Sequence, residues 1–409
     1  MKLDLIQTLA LGGVVLFLGY GIRRVIPVLG RYNIPAPVVG GLLVALVTLV
    51  AHSRDVTLFE FDTTLQSPLM IAFFTSIGFG ASLSLLRVGG PLVLMFFGLA
   101  TVFAIMQNVV GVLLAQLFGL HPLFGVLAGS VTLTGGPATG LAFAPEFESA
   151  GVAGAASIAI AMAMAGIVAG GIVGGPISTH LVKRYKLRGP RGNKGEVVPP
   201  TARNVVDERL PEGVVAAPAD EDLEAYAVLK NAVVILVAMG LGAWVSKGFA
   251  ALHITLPAYI GAMLVAALIR NLDDRTRWIG LSQRIIDDIG AVALSLFLVV
   301  ALMTIKLWEL AGLAVPLLVI LLAQVILVAL VCLGPVFKLM GRDYEAAVMG
   351  GGFIGFMLGT TANAMAVMRS LVERYGPAPR AFLVAPMVGA FFIDFTNALI
   401  ITAFLNLFN

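Results

Sequence analysis

The hydrophobic pattern of this chain is one of long apolar runs separated by short polar connections. A hydrocarbon core about 30 Å thick requires roughly 20 mostly apolar residues from each helix that crosses it. Runs of that kind recur from one end of the sequence to the other, and they predict an all-α integral membrane protein. The ten predicted spans lie near 5–22, 37–51, 69–86, 91–118, 150–179, 230–246, 254–269, 289–305, 310–337 and 381–408.

Composition supports this fold class. Of the 409 residues, 59% are hydrophobic and only 12% are charged, whereas an average soluble domain carries about 25% charged residues. The net charge of +3 gives no reason to expect nucleic-acid binding in such a protein. The single cysteine, Cys332, excludes a disulfide framework, and the four scattered histidines lack the spacing of a metal or haem site, so we expect no cofactor.

The first apolar run has the flanks of a retained helix. Lys2 and Asp4 make no positively charged leader, no small-residue cleavage site follows the run, and Arg23 and Arg24 come after it. We therefore expect this span to remain in the mature protein.

Two further apolar runs, at 122–145 and 346–368, are rich in Gly, Thr, Ser or Pro. Because cytoplasmic loops carry an excess of Lys and Arg, the basic residues indicate how these runs meet the membrane. If both runs are re-entrant, 22 of the 26 basic residues fall on one face, whereas the split becomes 17 to 9 if both cross. The pattern favours two re-entrant hairpins, a cytoplasmic basic face and both termini on the opposite, periplasmic side.

The sequence contains an internal repeat at a separation of about 222 residues. VGGLLVA at 39–45 matches IGAMLVA at 260–266, and the first Gly-rich run matches the second. Five spans separate equivalent positions, and an odd number predicts two inverted repeats, at 1–182 and 226–409. The polar segment 183–225 between them is expected to be a flexible cytoplasmic linker. Inverted repeats with broken elements near the midplane are typical of secondary transporters.

Asp394 is the only acidic residue well inside a predicted span. A charge at the membrane centre costs about 2.5–3.5 kcal/mol on insertion scales and indicates a functional site by default. We expect Asp394 to bind a cation or carry a proton; the alternative is a carboxylate that pairs with a nearby Lys or Arg. Asn397 lies three positions later on the same helix face and offers a second oxygen.

Amides interrupt two other predicted spans. Asn108, next to Gln107, is either a cation ligand or a partner in an interhelical hydrogen bond, and for Gln324 we favour the hydrogen bond.

Small and acidic residues near the first hairpin have simpler interpretations. Gly166, Gly170 and Gly174 have the spacing of a helix-packing ridge. Glu146 and Glu148 are expected to form a solvated rim at the outer mouth of the hairpin.

The two hairpins carry the candidate substrate site. Glycine lets the backbone approach a ligand closely, and hydroxyl groups offer uncharged donors and acceptors. N–H groups at the start of a half-helix favour an anion, while free carbonyls favour a cation, which suits a carboxylate substrate coupled to Na⁺. The alternative is that the glycines only permit tight packing. The candidate substrate-binding residues are Thr134, Gly135, Gly136, Thr139, Thr360, Thr361 and Asn363, and the candidate Na⁺ ligands are Asn108, Asp394 and Asn397.

Several long segments resemble one known family. They include IPAPVVGGLLVAL at 34–46, LAGSVTLTGGPATG at 127–140 and FLVAPMVGAFFIDFTNALII at 382–401. On these segments the chain resembles the bacterial sodium/glutamate symporters over nearly its whole length. The resemblance implies Na⁺-coupled uptake of glutamate by a homodimer in the inner membrane, with an elevator-like movement. Asp394 and Asn397 carry over to this role because their motif is intact.

The chain departs from that family in both hairpins. Familiar members have a His after the Gly-Gly of the first hairpin, where this chain has Pro137, and a His near the position of Gly352 in the second. The nearest basic candidates for the substrate's side-chain carboxylate are Arg369 and Arg380, and the alternative is that each is a cytoplasmic residue of the positive-inside pattern. Transport of another di- or tricarboxylate with Na⁺ or H⁺ is the alternative. A passive channel is less expected, and an intramembrane enzyme least, because no second acid, no Lys and no His lies deep within a predicted span.

Overall fold

The computed structural model describes residues 2–56, 58–84, 90–187, 221–251, 257–310 and 312–408, so most of the predicted linker lies outside the described residues. Apart from one isolated bridge between Lys2 and Glu60, the regular structure in these parts is helical. The first half contains α1 Leu5–Val25, α2 Pro27–Arg31, α3 Ala36–His52, α4 Gln66–Gly80, α5 Gly90–Leu117, α6 Pro122–Val126, α7 Gly136–Ser149 and α8 Ala155–Arg184. The second half contains α9 Glu221–Ala250, α10 Ala258–Thr276, α11 Gln283–Met303, α12 Ala314–Val331, α13 Tyr344–Met357, α14 Thr361–Tyr375, α15 Pro379–Met387 and α16 Ile393–Phe408.

Six helices in the described parts of the chain are long and apolar enough to cross a membrane, which makes the chain a multi-pass membrane protein. The other four predicted spans are also helical, but they are shorter, more charged or interrupted. α3 and α4 have 17 and 15 residues, and the last turns of α10 contain Arg270, Asp273 and Asp274. The final span is interrupted by a π-helical turn, Val388–Phe392, between α15 and α16.

The helices pack as two bundles. In the six-helix bundle, α1, α3 and α4 pack with α9, α10 and α11. In the broken-helix bundle, α5 to α8 pack with α12 to α16. Each bundle therefore combines the first or the last helices of both halves of the chain.

Close helix approaches recur in the two halves of the six-helix bundle. A Cβ atom on Gly19 of α1 would lie 2.1 Å from the Ala36 carbonyl oxygen of α3. A Cβ atom on Gly242 of α9 would lie 2.2 Å from the Ala262 Cα atom of α10. Only glycine permits either approach, and small residues of this kind drive helix association in membranes.

Both Gly-rich runs form a helix that breaks and resumes. In the first, the helix that starts with α6 is interrupted at Gly129, whose φ of −101° and ψ of −126° are not helical, and α7 begins at Gly136. In the second, α13 ends at Met357 and α14 begins at Thr361. α13 and α14 pack against each other, and α7 packs against the kinked segment Leu127–Val131. The breaks leave backbone groups that a continuous helix would pair, and those groups lie inside the broken-helix bundle.

Candidate substrate and sodium site

The backbone of Ser130 lies between two asparagine side chains from different helices. Its N–H donates to Asn108 Oδ1 of α5 at 2.9 Å, and its carbonyl accepts from Asn397 Nδ2 of α16 at 3.0 Å. All three residues are buried. Ser130 follows Gly129, whose non-helical backbone (φ −101°, ψ −126°) interrupts the first broken helix.

Unpaired polar atoms are concentrated around Ser130. Ser130 Oγ, Asn397 Oδ1, Asn108 Nδ2 and Gln324 Oε1 are all buried without a hydrogen-bonding partner in the described parts of the chain. A buried group left unpaired costs about 1–3 kcal/mol. A small cation would satisfy the unpaired oxygens directly, and Asn108 Oδ1 has a second lone pair besides the one that accepts from the Ser130 N–H.

Gln107 connects this region to the second broken helix. Its Oε1 accepts from Thr134 Oγ1 at 2.6 Å, and its Nε2 donates to the Met357 carbonyl at 2.9 Å. Gln324 Nε2 of α12 donates to the Gln107 carbonyl at 2.7 Å, which confirms the interhelical hydrogen bond expected for Gln324. The buried side chain of Gln107 thus connects α5 by hydrogen bonds to the breaks of both broken helices.

The two breaks face each other. Gly136 has a φ of 67°, in the left-handed region, and a Cβ atom there would lie 3.5 Å from Thr360 Cγ2 and 3.6 Å from the Gly359 carbonyl oxygen. Thr360 caps α14 by accepting from the Asn363 N–H at 3.3 Å. The N-termini of α7 and α14 therefore meet, and their N–H groups form an environment suited to an anion.

The remaining predicted substrate residues surround these two helix starts. Thr139 is buried one turn into α7, against Gly135, and a Cβ atom on Gly389 would lie 2.8 Å from Thr361 Oγ1. Asn363 donates to the Ile167 carbonyl of α8 at 2.8 Å, so its amide nitrogen is engaged in holding the second broken helix in place.

Asp394 lies in the first turn of α16, one turn before Asn397. It is partly buried, and it forms no hydrogen bond or ion pair with any residue that the structure describes. The structure thus joins Asn108 and Asn397 through Ser130, whereas Asp394 lies next to this group without bonding to it. No basic side chain in the described chain pairs with Asp394.

Neither basic candidate for the substrate lies at the meeting point of the breaks. Arg380 forms an ion pair with Asp343, which caps the far end of α13, roughly 20 Å from Met357 at 1.5 Å per residue. Arg369 lies eight residues into α14 from Thr361, or about 12 Å along the helix.

The structure bears on the expected glycine packing ridge and on the expected solvated rim of Glu146 and Glu148. Gly166 and Gly174 are packing positions, since Cβ atoms there would lie 2.5 Å from the Leu358 carbonyl oxygen and 3.2 Å from the Gly351 carbonyl oxygen. The expected solvated rim is wrong for Glu146: although Glu148 is exposed, Glu146 Oε2 is buried. The sequence does not reveal this, because the residues that cover Glu146 come from a distant part of the chain.

Comparison with known proteins identifies the family. A family model described as sodium/glutamate symporter matches residues 1–377. The chain belongs to the sodium/glutamate symporter family. It is therefore a transporter and not an enzyme, and Na⁺ is the coupling ion in this family.

The similarity of this sodium/glutamate symporter family member to its relatives extends over almost the whole chain. It is 39% identical to the sodium/glutamate symporter of Haemophilus influenzae over 393 residues, which are 96% of this chain and 95% of the relative. It is 39% identical to the sodium/glutamate symporters of Escherichia coli and Shigella flexneri over 406 residues, 99% of this chain and 98% of each relative.

Proposed function

We propose that this chain takes up L-glutamate together with Na⁺. The observation that carries the proposal is the group around Ser130, where buried polar atoms are left unpaired beside two helix N-termini that face each other. Family membership supports both the ion and the substrate. Glutamate is favoured over other di- and tricarboxylates because the relatives carry glutamate in their names.

Na⁺ binds between α5, the first broken helix and α16 in this proposal. Asn108, Ser130 and Asn397 supply neutral oxygens, and Asp394 supplies the negative charge one turn from Asn397. An unpaired intramembrane carboxylate is costly, and a bound cation offsets that cost. Ser130 extends the ligand set that the sequence predicts.

Glutamate binds where the two breaks meet. Its α-carboxylate accepts from N–H groups at the starts of α7 and α14, around Gly135, Gly136, Thr360 and Thr361. Thr134, Thr139 and Asn363 line or support the same region. Ion and substrate share the first broken helix, so each stabilises the backbone geometry that the other requires, and their coupling is reciprocal.

Transport proceeds by movement of the broken-helix bundle against the six-helix bundle. The division of contacts into two bundles supports this elevator-like scheme, because every proposed ligand belongs to the broken-helix bundle. The six-helix bundle is then the fixed scaffold, and we assign the homodimer interface to it.

The two halves of the chain are inverted repeats, and the broken helices are re-entrant hairpins that enter from opposite faces. Support comes from equivalent element orders: Ala36 and Ala258 open matching helices, and Pro122 and Tyr344 open the two broken helices, each pair 222 positions apart. The distribution of Lys and Arg places the linker in the cytoplasm and both termini in the periplasm of a bacterium, with the protein in the inner membrane.

Uptake of radiolabelled glutamate into proteoliposomes tests the proposal. We expect accumulation with an inward Na⁺ gradient and none with an equal K⁺ gradient. Competition by unlabelled aspartate, malate and citrate tests the substrate class. Proton-driven accumulation without Na⁺, or stronger competition by citrate or malate than by glutamate, would overturn the assignment, and gradient-independent equilibration would indicate a channel.

A further inference from the structure

The side chain of Gln107 bonds to both broken helices at the points where they are interrupted. Its Oε1 accepts from Thr134 Oγ1 at 2.6 Å, and its Nε2 donates at 2.9 Å to the carbonyl of Met357, the last residue of α13. Gln107 and Met357 are fully buried, and Thr134 is 3% exposed. A carbonyl at the end of a helix has no partner within that helix, so Gln107 supplies the donor that Met357 requires.

The orientation of the Gln107 amide is determined by its two partners. A backbone carbonyl only accepts hydrogen bonds, so the NH₂ group must face Met357 and the oxygen must face Thr134. The planar amide holds its oxygen and nitrogen at a fixed separation, so a displacement of Thr134 also changes the geometry of the bond to Met357. Hydrogen bonds weaken steeply away from their preferred angle and distance. The Gln107 side chain therefore holds the two breaks in one relative position.

Thr134 is in turn connected to the proposed Na⁺ site. The carbonyl of Ser130 accepts from the backbone N–H groups of Thr134 at 3.2 Å and of Gly135 at 2.9 Å. Asn108, which accepts from the N–H of Ser130, is also the residue after Gln107 on α5. A cation bound at Ser130 thus restricts both the segment that carries Thr134 and the helix turn that carries Gln107.

We propose that Gln107 is a positioning residue that transmits Na⁺ binding at Ser130 to the second broken helix, and that this transmission raises the affinity for glutamate. The inference rests on the proposed function and adds to it the route by which the ion affects the start of α14. When Na⁺ restricts the first break, Gln107 holds Met357, three residues before Thr360, so that the starts of α7 and α14 stay together. Without the Gln107 side chain, Na⁺ would order the first break alone.

The test measures how strongly Na⁺ enhances the binding of glutamate to the purified full chain. The dissociation constant of radiolabelled glutamate is determined at a low and at a saturating Na⁺ concentration, and the ratio of the two constants is the coupling factor. Coupling factors between two ligands commonly lie in the range of about 5–150. The rise of the melting temperature with Na⁺ alone reports separately on the Na⁺ site.

The informative variant is Gln107→Met, which keeps the length of the side chain and removes both hydrogen bonds. We expect its coupling factor to fall about three-fold or more below that of the parent, because glutamate binds less tightly at saturating Na⁺. The response of the melting temperature to Na⁺ alone should be retained, since the proposed Na⁺ ligands are unchanged.

Gln107→Asn is a second variant that keeps a polar group in the interior. Its amide is one methylene shorter and cannot reach both partners, so we expect a loss of coupling in this variant as well. An unchanged coupling factor in either folded variant would overturn the inference while leaving the proposed function intact.

The matched control is Asn231→Leu. Asn231 is also a fully buried amide with two hydrogen-bonding partners, the Ala227 carbonyl and the Ser282 N–H, but it lies in the six-helix bundle. This variant should lose stability and keep the coupling factor of the parent, and a loss of coupling equal to that of Gln107→Met would overturn the inference. Glutamate binding that is independent of Na⁺ in the parent would overturn the proposed function, and the inference with it.

Discussion

The side-chain amide of Asn397 donates a hydrogen bond to the backbone carbonyl of Ser130, 267 positions away in the sequence. This bond joins the last helix to the kinked segment of the first broken helix. Asn108 binds the N–H of the same residue from α5. The position of one small residue is therefore fixed by helices from the two halves of the chain, and Asp394 lies one turn before Asn397 in the second of them.

Asn397→Ala is expected to weaken Na⁺ binding. The substitution removes an amide oxygen proposed as a ligand and leaves the Ser130 carbonyl without its donor, a loss of about 1.4 kcal/mol or ten-fold in apparent affinity. The measurement is the Na⁺ concentration that gives half-maximal glutamate uptake. Asn231→Ala is the matched control, since Asn231 is a fully buried amide of the six-helix bundle that binds Ala227 and Ser282. An equal shift in both variants would contradict the assignment.

Asp394→Asn is expected to abolish Na⁺-driven accumulation, because a neutral amide removes the charge that a cation requires in a membrane interior. Ligand-dependent thermal stabilisation of the purified variant gives a second readout: Na⁺ should no longer raise the melting temperature. Asp394→Glu keeps the charge and should retain part of the response. Normal Na⁺-driven uptake by the asparagine variant would rule out Asp394 as the coupling residue.

Gly136→Ala is expected to raise KM for glutamate. An L-residue in the left-handed region costs about 1–2 kcal/mol, and the strain is relieved by moving the start of α7 away from the opposing break. Gly119→Ala provides the control, because Gly119 has a similar φ of 69° and a Cβ atom there meets nothing within 4 Å. Both variants should lose stability, measured as melting temperature, but only Gly136→Ala should change KM.

Arg380→Ala is expected to leave KM for glutamate within about two-fold of the parent value. Arg380 is engaged with Asp343 at the far end of α13, and a partly exposed ion pair contributes only about 0.2–1 kcal/mol to stability. Uptake kinetics report a role of Arg380 in substrate binding, and the melting temperature reports a role in stability. A large rise in KM without a change in maximal rate would place Arg380 at the substrate.

Hydropathy was sufficient to predict the helices of the membrane-spanning parts. Runs such as 91–118 and 310–337 have one dominant interpretation, since only a helix satisfies its own backbone in lipid. The breaks were also predictable, because Gly, Thr and Pro are concentrated in 122–145 and Gly and Thr in 346–368. Gly and Pro destabilise the interior of a continuous helix. Helix ends differed by several residues, as at α4, which ends at Gly80 and not at 86.

The candidate site was predictable only in part. Asn108 and Asn397 stand out because amides are rare within apolar runs. Ser130 is not distinctive in the sequence, since its contribution comes from backbone groups that the kink at Gly129 leaves free to bond with side chains. The contact between the Phe143 and Tyr259 rings depends on which helices of the two halves pack together, and that information is absent from local patterns.

The π-helical turn at Val388–Phe392 determines the direction in which each side chain of α16 points around the helix axis. Each residue of a helix advances the side-chain direction by about 100°, so removal of one residue from this turn would rotate Asp394 and Asn397 by roughly that angle. Asn397 would then point away from Ser130, although the hydropathy of the segment would hardly change. The length of this segment is thus under stricter constraint than its composition: single substitutions within the turn should be better tolerated than any one-residue insertion or deletion.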